Sequence, residues 1–198
     1  GREQFAPTLV ETVAAALHKG GMFERAGTLF EQLGDAPRAM EAYRKGSAYA
    51  RAVELSRRAF QGREVVELEE AWGDWLVSRK NSDAAVSHYT EAGAYLKAVK
   101  AAITSRQWVK AAQIADTLAP QEAQPFYAVI ASHHERGRPY GDAQALYLRA
   151  GSPQSAVEMY ANASKWELAH RVATQHLGAT EASALYISQA HKLEAASK

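Results

Sequence analysis

Cysteine is absent from the 198 residues, which removes disulfides, thiolate catalysis and Cys-ligated zinc together and is compatible with a reducing compartment. Proline is limited to Pro7, Pro37, Pro120, Pro125, Pro139 and Pro153, each at a place where a helix could begin or end. No run of about 18 apolar residues is available for a membrane span. The opening Gly1-Arg2-Glu3-Gln4 lacks an initiator Met and the apolar stretch of a signal peptide, and an amphipathic pattern runs into the last residues. The chain is therefore expected to be an internal piece of a longer one, with Gly1 left by a tag. Excess charge is missing too: 23 Lys and Arg face 22 Asp and Glu, a formal charge of +1, too little for a field that draws nucleic acid or lipid headgroups unspecifically. Val and Ile are sparse, strand-like alternation is missing, and Ala is abundant, so the 47% hydrophobic content reads as an all-α fold.

The helices repeat. Phe30, Tyr89 and Tyr147 fall into register at offsets of 59 and 58 residues, and the same offsets align Ala26, Ala85 and Ala143. They also align Gly34 with Gly93 and Gly151, Ala39 with Ala98 and Ala156, Tyr49 with Trp108 and Trp166, and Ala52 with Ala111 and Ala169. Within each module the key alanines Ala26, Ala52, Ala85, Ala111, Ala143 and Ala169 alternate steps of 26 with steps of 33 or 32, the longer close to the 34 or so of a tetratricopeptide repeat. An aromatic residue commonly precedes the key alanine by three positions, as in Phe23-Ala26-Phe30-Leu33; Ser82 departs from that rule and His176 from the apolar rule seven positions after.

Physical chemistry accounts for the columns. Two antiparallel helices approach closely where a residue has almost no side chain, and alanine provides this without glycine's helix cost of about 1 kcal/mol. The aromatic fills the hole between one hairpin and the next. Gly34, Gly93 and Gly151 end helices in a left-handed turn, and Pro37 and Pro153 suit the first turn of the following ones. The spacing predicts helices over 8–19, 22–33, 36–46, 48–59, 64–79, 82–92, 95–104, 107–118, 121–136, 140–150, 153–162, 165–176 and 180–195. This is an α-solenoid of six tetratricopeptide-like helical hairpins plus one terminal orphan helix. It forms a single solenoid segment over 1–198, with modules 8–62, 64–120 and 121–178 and the terminal helix 180–195.

Catalytic signals are missing. His133 and His134 are adjacent and diverge on a helix, His-Glu-x-x-His spacing is absent, and neither a phosphate-binding Gly-rich loop nor a nucleophile elbow occurs. The chain is read as a non-enzyme with no catalytic residue, metal, cofactor or small-molecule substrate. Asn162-Ala163-Ser164 reads as a turn before Trp166. Trp72, Trp108 and Trp166 are expected in the core, whereas Trp75 lies at the edge of the buried stripe, a candidate anchor for a partner.

Charge is segregated locally. Residues 38–63 carry a balance of +5 and residues 64–74 one of −5, which a solvated helix face would explain. The repeat register gives a sharper expectation: Glu67, Glu70 and Asp74 share one face of the first helix of their hairpin. That helix lines the concave groove of tetratricopeptide arrays. An acidic stripe there suits a basic or amphipathic protein segment and opposes capture of a C-terminal carboxylate. RNA or lipid binding would rest on the basic stretches 38–63 and 97–110, which lack interleaved aromatics for base stacking.

Several runs then resemble one family. They are Ala71-Trp72-Gly73-Asp74-Trp75-Leu76-Val77, Asp83-Ala84-Ala85, His88-Tyr89, Arg106-Gln107-Trp108, Ala156-Val157-Glu158-Met159-Tyr160, Lys165-Trp166-Glu167 and Leu185-Tyr186-Ile187-Ser188-Gln189-Ala190. Together they resemble the tetratricopeptide region of the intraflagellar transport protein 172 family, densely over 71–190 and more thinly over 1–70. The resemblance implies a scaffold segment of a large propeller-solenoid subunit of intraflagellar transport complex B. Its implied partners are other intraflagellar transport subunits, of complex B and also of complex A, with no nucleic acid and no membrane contact expected. Its implied location is the cytoplasm and the cilium or flagellum, basal body included. A related complex A or vesicle-coat subunit, or a lipid- or RNA-binding solenoid, is the alternative.

Overall fold

The computed structural model describes residues 6–60, 62–137 and 140–196; Gly1 and Pro139, singled out above, lie outside them. Among the described residues there are thirteen α-helices and no strand. The chain divides into two compact units, one reaching to Ser105 and the other starting at Arg106. The first holds α1 (Pro7–Lys19), α2 (Phe23–Gln32), α3 (Ala36–Lys45), α4 (Tyr49–Ala59), α5 (Gly62–Ser78), α6 (Ser82–Glu91) and α7 (Tyr95–Thr104). The second holds α8 (Trp108–Ala115), α9 (Pro120–Gly137), α10 (Tyr140–Arg149), α11 (Pro153–Asn162), α12 (Trp166–His176) and α13 (Ala179–Ala196). Within each unit every helix packs on the next, and α13 also reaches back to α11. The fold is an all-α solenoid type, as the periodicity predicts.

The small-residue columns are the core. All six key alanines are fully buried, and so are Ala39, Ala98 and Ala156. Phe30, Tyr89 and Tyr147 are buried beside them. Gly34, Gly93 and Gly151 take φ of 76°, 69° and 68°, and the aromatic column itself closes these turns. The amides of Asp35, Ala94 and Ser152 donate to the carbonyls of Phe30, Tyr89 and Tyr147 at 2.9, 2.8 and 3.0 Å, the six-to-one bond of a helix C-cap. Asp35 then caps α3, its carboxylate accepting from the Arg38 amide at 3.0 Å.

Three expectations need correction. Helix α8 ends at Ala115 and not near 118, because Thr117 and Leu118 bond back three residues, to Ile114 and Ala115, tightening the last turn. Pro125 lies inside α9, near enough to the start that its missing N–H removes a single bond of the ladder. The tryptophans are not fully buried: Trp166 is 43% exposed, Trp108 is only partly buried, and Trp72, partly buried as well, packs against the core of the first unit. Tyr49, Trp108 and Trp166 are the first residues of α4, α8 and α12, where no preceding turn of the same helix covers the ring. A ring of a longer helix covers the first two instead. Tyr49 meets Trp75 at 5.9 Å between centroids, and Trp108 stacks on His133 at 4.0 Å.

Candidate partner-binding face of α5

Helix α5 is amphipathic. Leu68, Glu69, Gly73 and Leu76 are its buried residues, so the opposite side carries Glu67, Glu70 and Asp74. Their side chains are 53%, 42% and 53% exposed. The register holds, but the stripe is not bare. Lys97 of α7 places its ammonium 2.8 Å from a Glu70 oxygen and 2.8 and 2.9 Å from the two Asp74 oxygens. Glu67 receives Arg63 at 3.2 Å and has Arg44 of α3 at 4.0 Å. Farther along the same face, Arg38 of α3 pairs with Glu11 of α1 at 2.9 Å. Ion pairs thus join α1 to α3, α3 to α5 and α5 to α7.

Burial pushes the Asp74 carboxyl up, but the hydrogen bonds from Lys97 and Tyr89 and the ammonium's charge outweigh it and hold Asp74 below the ordinary range. The hydrogen bonds to Asp74 and Glu70 hold Lys97 above its ordinary range. Asp74 is therefore an anion already clasping a cation. Tyr89 donates to it at 2.8 Å while its ring lies on Gly73, where an added Cβ would come within 2.6 Å of ring carbon Cε1. Trp72 stacks on His88 at 3.9 Å. The Trp72-Gly73-Asp74 run thus seats the next helix with three different contacts. Trp75, partly exposed, packs toward Tyr49 and carries the Arg79 guanidinium 5.5 Å above its ring.

Glu69 is the residue that charge counting overlooked. Only 4% of its side chain is exposed, and both oxygens are engaged: Arg57 of α4 donates at 3.1 Å and His88 Nδ1–H of α6 at 2.8 Å. A carboxylate only accepts, which fixes the proton on Nδ1. Beside these residues opens a cleft of about 680 Å³ lined also by Trp72, Glu54, Arg58 and Glu91. The signal was present in sequence, since position 69 falls inside the apolar stripe of Val65, Leu68, Trp72 and Leu76, and its repeat counterpart is Tyr127. Among the described residues no group of His, Asp and Glu is arranged to hold a metal ion.

No family model matches the chain. It is similar to intraflagellar transport protein 172 of Chlamydomonas reinhardtii, 47% identical over 192 residues, which is 97% of this chain and 11% of that protein. The Homo sapiens intraflagellar transport protein 172 homolog is 45% identical over 186 residues, 94% of this chain. Intraflagellar transport protein osm-1 of Caenorhabditis elegans is 34% identical over 187 residues. These matches take in the stretch 1–70, where the resemblance in motifs is thin. The chain spans about a tenth of the length of the curated relatives it matches, 11% in each of these three.

Proposed function

Because this chain belongs, as one segment, with the intraflagellar transport protein 172 family, we propose that it is a non-enzymatic scaffold piece of an intraflagellar transport complex B subunit. It works in the cilium or flagellum and, around assembly, in the cytoplasm and at the basal body. Its partners are protein segments of other transport subunits. Glu67, Glu70 and Asp74 make the acidic part of the contact and Trp75 an aromatic flank. The observation carrying this reading is Lys97, whose ammonium lies within 2.9 Å of both Glu70 and Asp74. The face already binds a lysine, and a partner's Lys or Arg can take its place with little further desolvation. Of the two basic stretches that would serve RNA or lipid, 38–63 is largely paired instead: Arg38 with Glu11 and Asp35, Arg57 with Glu69, Arg58 with Glu31 and Glu54.

The test is a triple reversal, Glu67→Lys, Glu70→Lys and Asp74→Lys, in the full-length subunit, followed by crosslinking mass spectrometry of the purified assembly. Loss of crosslinks from Lys80, Lys97 or Lys100 to one neighbouring subunit is expected. Retention of every neighbour would reduce the stripe to a solvated face.

A further inference from the structure

Glu69 is a buried carboxylate with two donors. A buried carboxylate needs a compensating charge nearby. With His88 neutral, that charge comes from Arg57 alone; with His88 protonated, the imidazolium at 2.8 Å supplies it without help. The charged groups lining the cleft around His88 are Glu69 from α5, Glu54, Arg57 and Arg58 from α4, and Glu91 from its own helix. Helix α7, also packed on α6, contributes none to that lining. Arg58 is held by Glu31 and Glu54. Glu91, three residues past His88 and so on the same side of α6, lines the cleft with Arg57, and its side chain makes no hydrogen bond or ion pair among the described residues. The Arg57 side chain remains 60% exposed, free to turn.

The second unit shows the alternative pairing. The repeat places Asp116 where Arg57 stands and Arg149 where Glu91 stands. There the two are joined, Arg149 contacting both Asp116 and the Tyr127 hydroxyl.

We propose that Arg57 is a two-position latch operated by His88. While the imidazole is neutral, Arg57 ties α4 to α5 through Glu69. When His88 takes a proton on Nε2, the imidazolium neutralises Glu69 and repels Arg57, which moves to Glu91 and ties α4 to α6. The joint between two successive hairpins thereby changes its fastening with the protonation of His88. This is independent of the acidic stripe, whose residues take no part.

The experiment follows the side-chain Nε–H resonance of Arg57, assigned by its loss in Arg57→Lys, and the ring nitrogens of His88 in the 198-residue chain from pH 8 to 5. The Arg57 signal should shift with the same midpoint as His88. In Glu91→Gln that shift should shrink at least twofold while His88 still titrates, and in His88→Gln, which keeps an amide donor for Glu69, it should vanish. An Arg57 signal that stays constant through the His88 titration, or one that moves unchanged in Glu91→Gln, overturns the latch.

Discussion

The seam where α4 and α6 meet α5 and the one where α8 and α10 meet α9 occupy the same repeat columns and are built from opposite charges. In the first a buried carboxylate, Glu69, sits between Arg57 and His88. In the second the corresponding position is Tyr127, whose hydroxyl donates to Asp116 at 2.7 Å, and Arg149 closes over its ring at 4.2 Å. The positions of Arg57 and Glu91 have become Asp116 and Arg149. Repeat geometry therefore dictates where a seam is polar, while the sign of each charge is free so long as the set is satisfied together. The two also differ in depth. Glu69 is nearly sealed, whereas the Asp116 side chain is 49% exposed.

Depth sets the largest expected effect. The double variant Arg57→Ala with His88→Ala strips both donors from a buried anion and should cost about 3–5 kcal/mol, read as a lower urea midpoint at unchanged slope. Arg149→Ala leaves Asp116 open to water and should cost at most about 1 kcal/mol. Equal losses in the two variants would mean that burial does not distinguish the seams.

A second contrast concerns the residue under the aromatic column. Gly73 lies beneath Tyr89 in the first unit, and the register puts the fully buried Ala131 in the matching place in the second. Gly73→Ala drives a methyl to 2.6 Å from the Tyr89 ring and should destabilise by about 1–3 kcal/mol through overpacking. Ala131→Gly should also destabilise, by about 1 kcal/mol, through helix propensity. Two opposite substitutions with the same sign would show that each seam is fitted to its own ring.

Much of this was legible in sequence, and the physical reason is uniform. Alanine and glycine columns report close backbone approach, which depends on volume alone, so Ala26 through Ala169 and Gly34, Gly93 and Gly151 all fall where the spacing placed them. The acidic side of α5 was readable too, because helical period fixes which residues share a face. Pairing partners were not. Lys97 lies 23 residues from Asp74 and Arg57 lies 12 from Glu69, and no local pattern tells which exposed cation reaches which acid. Nor did the column of Tyr49, Trp108 and Trp166 reveal its exposure, since hydrophobicity says nothing of a ring's place at a helix's first turn.

Alkaline pH should affect both units alike. Burial first, then the hydrogen bond to Asp74 and its charge, push Tyr89 up to about 12. Burial, then Glu135 through a hydrogen bond and its charge, do the same for Tyr147, to about 12. An unfolded tyrosine ionises near about pH 10, so between about 10 and 12 the folded chain holds more protons than the unfolded one. The stability these residues contribute is intact below about pH 10 and is lost as pH rises through about 12. Tyr89→Phe and Tyr147→Phe should each flatten that decline by a similar amount in denaturant titrations at pH 9 to 11, and a decline unchanged in both would place its origin elsewhere.

The smallest effect is expected at a column that uses no glycine. Ser47, Arg106 and Ser164 stand at matching positions with φ of 55°, 60° and 58°. They are left-handed residues that close α3, the turn after α7, and α11. Ala48 and Lys165, which follow Ser47 and Ser164, return their amides to the carbonyls of Tyr43 and Tyr160 at 2.9 and 2.8 Å, so the turn geometry matches that at Gly34. A side chain in this conformation costs about 1–2 kcal/mol, and glycine removes that cost while adding about 0.4–1 kcal/mol of unfolded-chain entropy. Ser47→Gly and Ser164→Gly should therefore each stabilise by about 0.5 kcal/mol, a rise in urea midpoint seen equally in both units. A gain in one and a loss in the other would mean that one serine hydroxyl contributes something that the shared turn geometry does not explain.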